Sequence, residues 1–279
     1  MTERITVSAP EVPGHTASVT VVSTSVTSVT AMSHDRVKLR GVALRTAQGD
    51  PELAFVVGHG LTNNVRKPAV RRVLERLARH GDVLALDFRG HGRSGGRSTV
   101  GDLEVLDIAA AVGLARDLGH RRVATVGFSM GASIVLRHAG LHAVERERPD
   151  AVAAVSSPAR WYVRDTVAMR RVHWLLEQPH GRVAALALGL RVSQPWRQPP
   201  ASPIEVVGRI APLPLLLVHG DQDHYLPAEH ALALHRAAAG GAELWLEKGI
   251  RHAESAMTPE LVDRMADWLA AATTRTGAR

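Results

Sequence analysis

Between a strand-like run, Arg122-Val123-Ala124-Thr125-Val126, and a helix-like run, Ala132-Ser133-Ile134-Val135-Leu136-Arg137-His138, the chain reads Gly127-Phe128-Ser129-Met130-Gly131. Glycine two residues before the serine and two after it lets the backbone turn sharply from strand to helix without Cβ clashes. The turn lifts the Ser129 hydroxyl above the end of a sheet. The next backbone N–H, that of Met130, lies at a helix N-terminus, where it can bind a developing oxyanion. A strand, a tight turn and a helix in this order demand an α/β arrangement.

The remaining pattern agrees. Apolar strand runs at Leu53–Val57, Val83–Leu86, Val123–Val126, Ala151–Val155, Leu215–Val218 and Leu244–Leu246 alternate with helical runs. The helices are expected at Pro68–Arg79, Asp102–Leu118, Ala132–Val144, Pro227–Ala239 and Pro259–Ala271. Two earlier strands are expected at Val19–Thr30 and Arg36–Arg45, with a turn at Gly49-Asp50-Pro51. This alternation predicts a mainly parallel sheet covered by helices on both faces. Residues 1–18 are rich in Ser, Thr, Pro and Gly and are expected to be a loose N-terminal segment. Residues 160–212 break the rhythm, because they are far longer than a connection of about 4–6 residues. They hold Trp161, Trp174 and Trp196, with prolines at 179, 195, 199, 200 and 203. A helix at Val163–Glu177 and an apolar segment at Val183–Val192 are expected inside them.

Other short motifs cluster at strand ends: Val56-Val57-Gly58-His59-Gly60-Leu61, Asp87-Phe88-Arg89-Gly90-His91-Gly92-Arg93-Ser94, Leu217-Val218-His219-Gly220-Asp221-Gln222-Asp223 and Gly249-Ile250-Arg251-His252. In their order and spacing, over roughly residues 35–272, they resemble the α/β-hydrolase superfamily. The resemblance is to its serine hydrolase branch, with an esterase or serine-aminopeptidase character. It implies an α/β-hydrolase core at 19–159 and 213–279, and a small helical lid or cap at 160–212.

A serine hydroxyl needs an adjacent base, and the base needs an acid to orient it. In this fold the order along the chain is serine, acid, histidine, on loops after the last strands. Asp223, just past the strand ending near Val218, matches the family acid; Asp221 is the competitor, at a position that belongs to the turn. His252 follows the last strand and is the candidate base. His80, His120, His138, His142 and His235 lie on or beside helices and read as solvated. His224 reads as facing away, while His59 and His219 read as structural residues bonding loop backbone. The resemblance implies a second oxyanion donor in the backbone N–H of Leu61. Thr62, Asn63 and Asn64 follow it, and the asparagines read equally as pocket contacts or as a turn and helix cap. Asn63, Trp161 and Trp174 are the candidate pocket residues. Asp87 precedes the serine, the wrong order for the acid, and reads as loop scaffold.

Composition narrows the alternatives. The formal net charge is +7, and Lys38, Lys67 and Lys248 are the only lysines, so arginine supplies the positive charge. The arginines are spread over nearly every helix, which speaks against a nucleic-acid surface. Cysteine is absent, which removes disulfides and thiolate sites and fits a cytoplasmic protein. No apolar run of 18 residues suggests a membrane span, and the first residues do not read as a secretory signal. No H-E-x-x-H, P-loop lysine or dinucleotide glycine spacing occurs, so no metal and no cofactor are expected. The expected partner is a small-molecule acyl substrate. Three functions remain open: ester hydrolysis through an acyl-serine; amide, peptide or thioester chemistry on the same residues; and a non-catalytic ligand-binding protein of the same fold. Serine in place of aspartate at the turn argues against the dehalogenase and epoxide-hydrolase branches.

Overall fold

Alternate residues of the central strands feed two separate cores. In β3 (Asp50–Gly58), Ala54 and Val56 pack into one cluster, while Leu53, Phe55 and Val57 pack into the other. The same division repeats in β6 (Ala151–Val155) and β7 (Leu215–Gly220). A strand buried on both faces needs apolar residues at every position, and these runs supply them. The computed structural model describes residues 24–141 and 144–277.

Eight strands form one sheet in the order β1-β2-β4-β3-β5-β6-β7-β8. The hairpin of β1 (Thr24–Met32) and β2 (Lys38–Thr46) joins β4 (Gly81–Leu86) antiparallel, and all later pairings are parallel. β5 is Arg122–Phe128 and β8 is Ala242–Glu247. Helices α1 (Pro68–Leu77) and α8 (Pro259–Gly277) cover one face. Helices α2 (Val105–Asp117), α3 (Met130–Leu141) and α7 (Glu229–Ala237) cover the other. This is the α/β-hydrolase fold. Among the described residues no helix is long and apolar enough to cross a membrane.

Residues 160–212 form a helical excursion between β6 and β7. It holds α4 (Val167–Glu177), α5 (Pro179–Ala187) and the short α6 (Pro203–Val206). Several boundaries move from their expected places. α2 begins at Val105 rather than Asp102, α4 at Val167 rather than Val163, and α7 at Glu229 rather than Pro227. Asp50 and Pro51 belong to β3 rather than to a turn. The ladder to β4 skips between Asp50 and Ala54, which lets a proline without an N–H sit in a strand. The apolar segment Val183–Val192 is half helix; its end, Val192, bridges to Ser98. The expected loose segment 1–18 and the start of the first expected strand, 19–23, lie outside the described residues.

Candidate active site

Ser129 occupies the single residue between β5 and α3, with φ of +52°. A non-glycine residue there costs on the order of 1–2 kcal/mol. It is held by the bond from its N–H to the Val155 carbonyl (2.9 Å) and by the Ser133 N–H on its own carbonyl (3.2 Å). The flanking glycines serve close approach. A Cβ on Gly131 would stand 2.2 Å from the Gly58 carbonyl oxygen, and one on Gly127 would stand 2.3 Å from the Gly131 oxygen. The first turn of α3 therefore lies directly against the end of β3, and the serine hydroxyl is left above both strands.

Two loops bring the partners. His252 Nδ1–H donates to Asp223 Oδ2 at 2.7 Å, and His252 Nε2 lies 2.9 Å from Ser129 Oγ. With Asp223 accepting at Nδ1, the Nε2 lone pair is free to face the hydroxyl proton. The Asp223 Oδ1 accepts the Tyr225 and Leu226 N–H groups at 2.9 and 3.0 Å. Burial would raise the Asp223 carboxyl, but the hydrogen bond and charge of His252 and the two backbone donors hold it below the usual carboxylate value. Asp221, the competitor, turns away and accepts the Gly249 N–H at 2.6 Å. The loop of His252 is fixed from behind: Ala253 takes φ of +52° and donates its N–H to Ser156 Oγ (3.2 Å). The Tyr225 ring packs 4.5 Å from the imidazole. Such a chain can withdraw the serine proton as the oxygen attacks and hold the resulting imidazolium against a carboxylate.

Ser129, Leu61, Met130 and Asn63 all line one cavity of about 460 Å³. The Leu61 N–H has no acceptor among the described residues. His59 and His219 behave as expected, each bonding loop backbone: His59 Nδ1–H donates to the Gly60 carbonyl (2.8 Å) and His219 Nε2–H to the Leu226 carbonyl (2.9 Å). Asp87 is scaffold: its carboxyl accepts the Val65 and Arg93 N–H groups at 2.8 and 2.9 Å.

The insertion supplies the opposite wall. Met169, Val172 and Leu176 of α4 line the cavity, with Trp161 and Trp196 beside them. The two indoles meet at 5.2 Å, and their N–H groups donate to the Pro200 and Thr99 carbonyls, both at 2.7 Å. The indole faces are thereby left for apolar contact. Trp161 lines this cavity, whereas Trp174, the other candidate, does not. It is 49% exposed and absent from the cavity wall, because on α4 it falls opposite the Met169, Val172 and Leu176 face. Three histidine expectations are also corrected. His224 lines the cavity rather than facing away, and His120 and His138 are buried rather than solvated. His142 lies outside the described residues.

Sequence reasoning passed over two polar groups in this cavity. His173 on α4 donates through Nδ1 to Glu177 at 2.7 Å and stacks on Tyr162. Glu254, two residues past His252, is buried against the loop at Gly60, and burial pushes its carboxyl up. In one sequence an acid after His-Ala looks like any first-turn helix residue, so no local signal marks it.

Comparisons with known proteins agree with the fold. A family model described as the alpha/beta hydrolase fold matches residues 54–187. The chain is 28% identical over 222 residues to the uncharacterised protein YqkD of Bacillus subtilis, covering 75% of this chain and 68% of that protein. It is 28% identical over 265 residues to a monoacylglycerol lipase of Mycolicibacterium smegmatis, covering 80% and 90%. Among solved structures it is similar to the Pyrococcus furiosus esterase Pf2001, with 25% identity and a TM-score of 0.69 over 88% of this chain and 91% of that one.

Proposed function

This chain is an α/β hydrolase by fold, and we propose that it cleaves a carboxylic ester of a small molecule through an acyl intermediate on Ser129. The reading rests above all on one observation, the continuous chain from Ser129 Oγ to His252 Nε2 at 2.9 Å and from His252 Nδ1 to Asp223 Oδ2 at 2.7 Å. Ester-cleaving names among its relatives, a monoacylglycerol lipase and an esterase, lend support.

In the first half-reaction Ser129 Oγ attacks the ester carbonyl carbon while its proton passes to His252 Nε2. The carbonyl oxygen becomes an oxyanion, bound by the N–H groups of Leu61 and Met130. A preorganised donor of this kind contributes about 3–4 kcal/mol. The carbon–oxygen bond to the leaving alcohol then breaks, and the alcohol takes the proton from His252. Water repeats the sequence on the acyl-serine, releasing the acid and restoring the hydroxyl. Throughout, Asp223 keeps the imidazole oriented and stabilises its charged form. Residues 160–212 act as the cap, and Trp161 with Trp196 walls the acyl pocket.

The test is direct. A fluorophosphonate should label the wild-type protein at Ser129 and leave Ser129→Ala unlabelled, and p-nitrophenyl esters should be hydrolysed by the first protein alone. Labelling elsewhere, or equal turnover by both proteins, would overturn the reading.

A further inference from the structure

Glu254 is only 3% exposed, yet it carries an ionisable carboxyl into the wall of the cavity that holds Ser129. Its Oε1 accepts the Gly60 N–H at 2.7 Å, from a residue 194 positions away in the chain. The Asn63 side chain and the Glu254 backbone N–H lie near it and favour its charged form against burial. A buried carboxyl requires such donors, since water does not reach it. The contact is close along its whole width: a Cβ built on Gly60 would stand 3.3 Å from Oε2 and 3.5 Å from the Asn63 amide nitrogen.

The location of this bond matters because Gly60 precedes Leu61. Glycine leaves both neighbouring peptide planes free to rotate unless something holds them. Here each plane has an anchor. The Gly60–Leu61 plane is held by its carbonyl, which accepts from His59 Nδ1 at 2.8 Å and from the Asn63 N–H at 3.0 Å. In a trans peptide the N–H points opposite to the C=O, so fixing that carbonyl aims the Leu61 N–H. The following plane is held by His91 Nε2–H, which donates to the Leu61 carbonyl at 2.7 Å. The preceding plane, between His59 and Gly60, is held by Glu254.

We propose that Glu254 is a positioning residue of the oxyanion loop, its carboxyl fixing the Gly60 N–H so that the Leu61 N–H points to the place where the oxyanion forms. The proposal rests on the ester-hydrolysis reading above. Glu254 acts through the backbone, so its removal should weaken the transition state and spare ground-state binding.

Wild type, Glu254→Ala and Glu254→Gln are compared on p-nitrophenyl acetate, with rates expressed per fluorophosphonate-titrated site. The same proteins are inhibited with a trifluoromethyl ketone, whose adduct with serine places an oxyanion in the same hole. Glu254→Ala should lose about 10–100-fold in kcat with KM within about threefold, and Ki should rise by the factor lost in kcat/KM. Glu254→Gln keeps the length and an accepting oxygen and should recover to within about fivefold of wild type. A residue that only stabilised the fold would lower the melting temperature and the titrated fraction, but not kcat per site or Ki. An unchanged Ki in Glu254→Ala, or a change confined to KM, therefore overturns the proposal. If Glu254→Ala does not fold, Glu254→Asp decides: one methylene shorter, it should show the same loss, and wild-type kcat and Ki there overturn the proposal. A wild-type protein that neither takes the phosphonate nor hydrolyses the ester overturns the ester reading instead.

Discussion

Ser129 is half-buried and contributes one small hydroxyl facing the cavity, so its chemistry can be separated from its packing. Ser129→Ala should retain the wild-type unfolding curve and lose at least ~10³-fold in kcat, because base and acid act only through the serine. Asp223 and Asp221 offer a second contrast two residues apart. Asp223 faces His252 Nδ1, whereas Asp221 faces only the Gly249 N–H. Asp223→Asn should cost on the order of 10⁴ in kcat, the scale of losing the orienting aspartate of a serine protease, and Asp221→Asn less than about tenfold. A reversed ranking in steady-state kinetics would reassign the acid. His59 gives a test by pH. Burial, with His91 nearby, lowers its pKa to about 3. Its Nε2 accepts the Phe88 N–H at 3.1 Å, which requires the neutral ring. Below the ordinary value near 6.5 the unfolded chain binds a proton that the folded chain refuses, so stability falls as pH drops from 6.5 towards 3. Between pH 7.5 and 5 this one group should remove roughly 2 kcal/mol. His59→Gln should show a correspondingly flatter slope of urea-unfolding free energy against pH, even if it is less stable at neutral pH.

Helix α4 shows how far a pattern in sequence carries and where it stops. Its presence was legible, as were the buried strands, because runs such as Ala151–Val155 and Leu215–Val218 have no polar residue to suggest another element. The Ser129 turn, Asp223 and His252 were legible because strand–loop–helix order brings strand ends to one edge. Which face of α4 meets the cavity was not legible. Val167 and Trp174 point outward while Met169, Val172 and Leu176 point inward, so apolar residues surround the helix and periodicity chooses no side. Glu254 was invisible for another reason: its partner Gly60 is brought to it only by the closed sheet. The two tryptophans now separate. Trp161 lines the cavity with its ring 2.9 Å from where a Gly101 Cβ would stand, and Trp174 is half exposed. Trp161→Ala should lower kcat/KM for p-nitrophenyl octanoate at least about tenfold, the effect of roughly 1.4 kcal/mol of lost contact, and change the acetate little. Trp174→Ala should leave both within about twofold. Equal losses on the short and long esters in Trp161→Ala would mean that the indole holds the cap together rather than shaping the pocket.

At the scale of the molecule, three segments distant in sequence meet on Arg89. Its guanidinium donates to Asp35, in the turn of the β1–β2 hairpin, at 2.6 and 3.0 Å, and to Asp107 on α2 at 2.9 and 2.7 Å. The same residue opens the loop that carries His91 to the Leu61 carbonyl, so the clamp joins the antiparallel edge, one helical layer and the candidate site. Its two acids differ in burial. Asp107 is 1% exposed, and burial pushes its carboxyl up to about 7 against the hydrogen bonds and charge of Arg89. The Asp35 side chain is 34% exposed, and its bond to Arg89 keeps its carboxyl below the usual value. A buried carboxyl stripped of its cation is costly, whereas a partly solvated one falls back on water. Arg89→Met should therefore lose about 3–5 kcal/mol at neutral pH, and Asp35→Asn no more than about 1 kcal/mol. The deficit of Arg89→Met should widen with pH. Arg89 holds the Asp107 carboxyl down to about 7, so without it the folded state keeps that proton to still higher pH, and the deficit opens as pH rises through and beyond about 7. Replacing both partners, Arg89→Met with Asp107→Leu, should restore most of the loss and remove that slope, since no charge is then left to solvate. Urea unfolding of the four proteins at pH 5.5 and 8 decides the matter. If Asp35→Asn costs as much as Arg89→Met, or if the Arg89→Met deficit is the same at both pH values, then burial of Asp107 is not what gives the clamp its strength.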